Sequence, residues 1–195
     1  MKTADVLREF EEAGALQRGH FILSSGLHSD VYLNKSIVSM YPERTERLCR
    51  ALAEKVRGTN VGVIDYVISP AMGAIIYGYE TARWLKVPFM FAERVDGEFV
   101  LRRGFSVPKG ARVLVVEDIV STGLSARECL DAVRKAGGNV VALACFIDRS
   151  GGKADFDAPL IPLAELKVEA WPADRLPPHL AALPAVKPGS RGVSQ

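Results

Sequence analysis

The chain has 195 residues, of which 48% are hydrophobic and 25% charged, and its formal net charge is +2. That supports one core of roughly 150 residues plus an appendage rather than two domains, and so even a charge balance gives no reason to expect a nucleic-acid or anionic-membrane partner. Asp5, Glu9, Glu11 and Glu12 stand where a signal peptide needs an apolar core, and no run approaches the ~20 apolar residues of a membrane span, so the expectation is a cytoplasmic protein.

Val6, Leu7, Phe10 and Ala13 recur at helical spacing, which predicts an amphipathic helix over 3–14 ending near Gly14. Residues 19–34 hold two short β-prone pieces around Ser24-Ser25-Gly26 and read as a hairpin. A helix follows with Pro42 near its start and Leu48, Leu52 and Val56 as its apolar stripe. Ile64 to Ile68 reads as a strand, Pro70 to Gly73 as a turn, and Ile75, Ile76, Tyr79 and Ala82 as one face of a helix. Phe89 to Ala92 gives the next strand, and Val95 to Lys109 a charged loop with glycines.

Val113 to Val116 is apolar without alternation, as in a strand buried on both faces of a parallel sheet. Glu117 and Asp118 then stand at its carboxyl end, where ligands of open α/β sheets bind, and can accept hydrogen bonds from sugar hydroxyls. Ser121, Thr122 and Gly123 form a turn opening a helix whose free N–H groups suit a phosphate. The plainer alternative makes Ser121 or Ser125 a simple helix cap. That helix, with Ala126, Cys129, Leu130 and Val133, ends near Gly137 and Gly138 and leads to a strand over Val140–Ile147. Strands alternating with helices imply a mostly parallel sheet. Cys49, Cys129 and Cys145, odd in number and inside apolar patterns, read as reduced buried cysteines. From Asp174 the chain is rich in proline, glycine and alanine and reads as an irregular, partly mobile tail.

The segment from Val113 to Ala126 resembles the phosphoribosyl pyrophosphate (PRPP) signature of the type I phosphoribosyltransferases. The resemblance implies an α/β fold with a mostly parallel sheet flanked by helices and a small N-terminal hood. It divides one domain into helix and hood (about 1–40), core (about 60–165) and tail (about 174–195). It gives Glu117 and Asp118 the ribose hydroxyls, and Ile119, Val120, Ser121, Thr122, Gly123, Leu124 and Ser125 the 5′-phosphate turn. Ser69 to Gly73 occupies the corresponding place after its own strand and is similar to the pyrophosphate loop, with Met72 and Gly73 contributing backbone.

The Ser-Gly-x-x-Ser-x-x-Tyr pattern from Ser25 to Tyr32 resembles the hood of orotate phosphoribosyltransferases, which places the base near Tyr32 and Leu33. Some relatives carry a phosphate-contacting lysine at the position of Ser24, and Lys35 is the nearby residue able to replace that charge. The Asp148-Arg149 motif implies that Arg149 takes the carboxylate of orotate, with Ser121 also near the base; a surface arginine paired with Asp148 is the alternative. Arg94, which aligns with a family lysine, and Arg102 and Arg103 lie in the loop expected to close over the reaction; the form Phe-Ala-Glu-Arg then Arg-Arg-Gly-Phe resembles a shorter bacterial and archaeal variant. The implied activity converts orotate and PRPP to orotidine 5′-monophosphate and pyrophosphate. Asp118 and the three loop arginines are its catalytic candidates, and magnesium is held mainly by substrate with no direct protein ligand. A homodimer is implied, the loop acting in cis or across it. Another base-specific phosphoribosyltransferase shares the acidic motif, and a PRPP-sensing regulator would need a DNA-binding extension or basic face that this chain lacks.

Overall fold

The computed structural model describes residues 1–23 and 25–188. Helix α1 (Thr3–Glu12) leads through Gly14, at φ 74°, into strands β1 (Leu16–Ile22) and β2 (His28–Leu33), the antiparallel hood hairpin. After α2 (Lys35–Val38) and α3 (Pro42–Arg57) come β3 (Tyr66–Pro70), α4 (Ile75–Leu85), β4 (Phe89–Val95), β5 (Glu98–Leu101), β6 (Arg112–Val120), α5 (Leu124–Lys135), β7 (Asn139–Asp148) and β8 (Leu160–Glu165). The central sheet runs β5-β4-β3-β6-β7-β8, parallel throughout except for the β4–β5 pair.

The unbroken apolar run in β6 follows from covering both faces. Leu114 and Val116 join the core beneath α1, α3 and α4, while Val113 and Val115 join the one beneath α5, so alternate residues serve opposite sides. Cys49 and Tyr77 lie in the first core, Cys129 and Cys145 in the second, and all three cysteines are free and buried. Burial raises each thiol well above its ordinary pKa, so none is a ready nucleophile.

Several boundaries differ from the sequence reading. The strand expected over 64–68 is Tyr66–Pro70, because Asp65 is spent accepting the Arg112 N–H at 2.8 Å. β6 runs on to Val120, which places Glu117 and Asp118 inside the strand rather than beyond it. The expected loop over 95–109 begins as a hairpin: Val95 pairs with Glu98 around an Asp96-Gly97 turn with φ 50° and 91°. β8 contains Pro162, which the sequence alone marks against a strand, yet it is an edge strand, where a missing N–H is tolerated.

The tail carries more structure than its composition suggests. Ala173–Arg175 makes a 3-10 turn and α6 (Pro178–Ala181) one helical turn. Trp171 and His28 exchange both backbone hydrogen bonds at 2.8 Å, and Val186 donates to His20 O and accepts from Ile22 N–H at the same distance. The chain therefore returns to brace the hood. The Ser24 position and residues 189–195 lie outside the described residues. No described helix is long and apolar enough to cross a membrane.

Candidate active site

The carboxyl ends of three adjacent parallel strands, β3, β6 and β7, lie side by side. At the end of β6, Asp118 is 1% exposed and Glu117 5%. Two adjacent buried carboxylates cannot both ionise cheaply, so desolvation first and the charge of Asp118 second push Glu117 up to about 8. Asp118 Oδ1 accepts the Ile119 N–H at 2.6 Å, and Glu117 Oε1 accepts the Asp118 N–H at 3.0 Å. Lys35 Nζ stands 2.5 Å from Asp118 Oδ2, close enough to pair charges but off the hydrogen-bond direction, which leaves that oxygen without a bonded donor.

Gly73 explains how this contact is possible. A Cβ there would fall 2.4 Å from Asp118 Oδ2 and 2.9 Å from Lys35 Nζ, so any side chain would wedge the pair apart. The turn after β3, the first residue of α2 and the carboxylate of β6 are thus packed against one another. Tyr77 of α4 fixes the lysine backbone by donating its hydroxyl to Lys35 O at 2.7 Å. Met72 is 84% exposed beside this cluster.

Ser121 and Thr122 are exposed, and the cap of α5 is Gly123 at φ 75°, with no side-chain cap hydrogen bond. The helix-cap alternative for Ser121 and Ser125 is therefore set aside; the first N–H of α5, that of Leu124, donates to Thr122 Oγ1 at a long 3.4 Å, a bond weak enough for an anion to displace. Arg127, not singled out from sequence, holds the turn from behind by donating to Thr122 O at 2.9 Å and Asp155 O at 3.3 Å. Leu124 and Ser125 are exposed on the helix, Val120 is buried, and Ile119 packs on the core.

Arg149 follows β7, and its N–H donates to Val120 O at 2.7 Å, tying it to the end of β6. The surface ion pair considered for it does not form: Asp148 Oδ1 instead accepts the Ser150 N–H at 2.8 Å. Arg149 Nε is buried without a partner among the described residues, and burial lowers the guanidinium pKa from its ordinary value. It lines a cavity of about 800 Å³ with Trp171, Lys153, Lys167 and Glu169.

The structure separates two further candidates. Tyr32 is half-buried and packs against Phe21 with ring centroids 5.6 Å apart. Leu33 lies in the core, because strand alternation turns Val31 and Leu33 inward together. The loop arginines lie on the β4–β5 hairpin and just after it. Arg94 pairs with Glu128 of α5 and covers the Phe99 ring at 4.4 Å; Arg103 pairs with Glu93, and Arg102 is 3.9 Å from the same carboxylate. All three are held by acids of the hairpin or α5 rather than by the carboxylates of β6.

Residues 40–175 match the phosphoribosyl transferase domain model. The chain is 63% identical to an orotate phosphoribosyltransferase of Phenylobacterium zucineum over 191 residues, 98% of either chain. It is 62% identical to another from Parvibaculum lavamentivorans over the full length of both. The chain belongs to the orotate phosphoribosyltransferase family. Among solved structures, the orotate phosphoribosyltransferase of Aeropyrum pernix aligns with a TM-score of 0.67 at 26% identity, covering 82% of this chain and 93% of that one. The Leishmania donovani UMP synthase shares the fold with a TM-score of 0.71 at 22% identity, over 84% of this chain and 36% of its own. The orotate phosphoribosyltransferase family match thus spans the hood and tail as well as the domain core.

Proposed function

We propose that this site transfers the 5-phosphoribosyl group from PRPP to orotate, giving orotidine 5′-monophosphate and pyrophosphate, a step of pyrimidine nucleotide synthesis. The observation that carries this reading is half-buried Arg149, whose buried Nε has no hydrogen-bond partner among the described residues and whose backbone N–H is bonded to the strand that bears Glu117 and Asp118. A guanidinium held there with a donor unspent invites a carboxylate, which orotate has and uracil or a purine lacks.

Each group then has a physical task. With Glu117 largely neutral below about 8, the pair offers the ribose hydroxyls both a donor and acceptors. Ser121 to Ser125 hold the 5′-phosphate at the helix start, Ser121 reaching also toward the base. Gly73 and Met72 present backbone to the pyrophosphate, and Lys35 brings the positive charge that the Ser69–Gly73 turn itself lacks. The base nitrogen attacks the anomeric carbon opposite the departing pyrophosphate through an oxocarbenium-like transition state. No protein nucleophile is required, so the chain contributes orientation and water exclusion. Arg94, Arg102 and Arg103 neutralise the leaving group when the hairpin closes.

The donor set also fits magnesium, since carboxylate oxygens suit a hard cation and Asp118 Oδ2 lacks a bonded donor. When bound with substrate, that ion supplies charge to the pyrophosphate and ribose oxygens; Glu117 and Asp118 would reach it through water. The working form in this reading is a cytosolic homodimer.

A panel of bases offered with PRPP and magnesium tests the reading. Orotate should be consumed in step with pyrophosphate release, and uracil, adenine and hypoxanthine should be ignored. Consumption of another base in preference to orotate would overturn it.

A further inference from the structure

The cavity around Arg149 has a wall that comes from the far end of the chain. Trp171 lines it, 22 residues beyond Arg149. Its backbone is fixed on both sides, since Trp171 N–H donates to His28 O and His28 N–H donates to Trp171 O, each at 2.8 Å. Two residues earlier, Glu169 O accepts the Ser29 hydroxyl at 2.9 Å, a second stitch between β2 and the same segment. The half-buried indole is met edge-on by His179 with ring centroids 5.9 Å apart. The hood therefore positions this residue although the hood does not contain it.

We propose that Trp171 is a substrate-binding residue whose indole face stacks on the pyrimidine ring of orotate while Arg149 holds its carboxylate. This rests on the reading of the cavity as the orotate site. The cavity mixes charges, but Asp148 is spent on the Ser150 N–H and Glu169 lies 3.7 Å from Lys167, and among the described residues Arg149 carries a buried Nε with no hydrogen-bond partner. A flat anion bound by one edge to a guanidinium needs a surface for its faces. Among the residues lining this cavity, Trp171 has the only aromatic ring. Stacking tolerates any planar ring, so the guanidinium selects the carboxylate and the indole supplies affinity and tilt.

The chain has two tryptophans, and Trp84 packs between Arg50 and Arg83 at 5.4 and 5.1 Å, outside the lining of this cavity. In a Trp84→Phe background the remaining fluorescence reports Trp171, and saturating orotidine 5′-monophosphate should quench it. Trp171→Ala should raise the KM for orotate about ten-fold or more, a size typical of base–aromatic stacking, with the KM for PRPP within about two-fold. Trp171→Phe should restore most of the loss. Trp171→Leu, which keeps apolar bulk without a π face, should not.

If Leu rescues as well as Phe, or if Trp171→Ala leaves the orotate KM unchanged while Arg149→Ala raises it, the stacking role is overturned and the orotate site stands. If neither residue affects orotate, the cavity reading itself fails, and stacking with it. Should Trp171→Ala not fold, the Phe and Leu variants decide alone.

Discussion

The β6–α5 junction and the β4–β5 hairpin both carry dense charge, yet the fold treats them in opposite ways. At the junction Asp118 and Glu117 are 1% and 5% exposed, and one carboxylate oxygen is left without a bonded donor. On the hairpin side the side chains of Arg94, Arg102 and Arg103 are 43%, 57% and 65% exposed, each set against an acid. Burying charge is costly and serves no purpose in packing, so the junction is shaped by what it binds. Exposed ion pairs are weak and screened by salt, so the hairpin can exchange Glu93 and Glu128 for a substrate anion at little cost.

The sharpest way to break this contrast is Asp118→Asn. It should lower kcat/KM on the order of 10²–10³-fold, as misplaced reacting groups do, and leave the thermal midpoint near wild type. An active, folded variant would show that the buried carboxylate is structural after all. Arg149→Ala should come next, raising the KM for orotate roughly 10- to 100-fold, the worth of a charge-assisted hydrogen bond, while the KM for PRPP changes little. Equal rises for both substrates in steady-state assays would place Arg149 outside the base site.

On the hairpin, Arg102→Ala and Arg103→Ala should each lower kcat about ten-fold, less than loss of a rigid oxyanion donor, because a mobile exposed arginine is poorly preorganised. Unchanged turnover in both would make the hairpin charge a solvated face. A further test sharpens the junction itself through stability rather than turnover. Because the native Glu117 pKa is raised to about 8 from 4.5, the folded protein keeps a proton that the unfolded chain releases. That contribution is full below about 4.5 and is lost as pH rises through 8. Denaturation midpoints measured from pH 5 to 8.5 should therefore fall with rising pH, and Glu117→Gln should flatten the fall.

The same contrast explains what could be read from sequence. The acidic pair, the small-residue turn and the Asp-Arg motif were legible because their composition conflicts with ordinary strand and turn chemistry, and such conflicts mark function. The extent of β6 was not, since two adjacent acids look like a strand end unless their compensation by Lys35 is known. β5 does carry a local signal, since Asp96-Gly97 between β-prone residues is a strong hairpin mark even amid the surrounding charge. Leu33 and Tyr32 were indistinguishable in sequence, and only the register of β2 against β1 assigns one to the core. Trp171 had no local signal, because its place depends on a pairing with His28 143 residues away.

That last pairing bears on how the chain can be handled. His20 and His28 are joined ring to ring at 2.6 Å, and the other nitrogen of His20 meets Leu183 O at 2.9 Å, so the hairpin end and the returning tail close a belt. Cutting the chain anywhere before Leu183 would unbuckle it: His20 would lose its carbonyl acceptor and β1 its two bonds to Val186. A truncation series from the carboxyl end should therefore register first as poorer orotate capture, before any loss of the sheet.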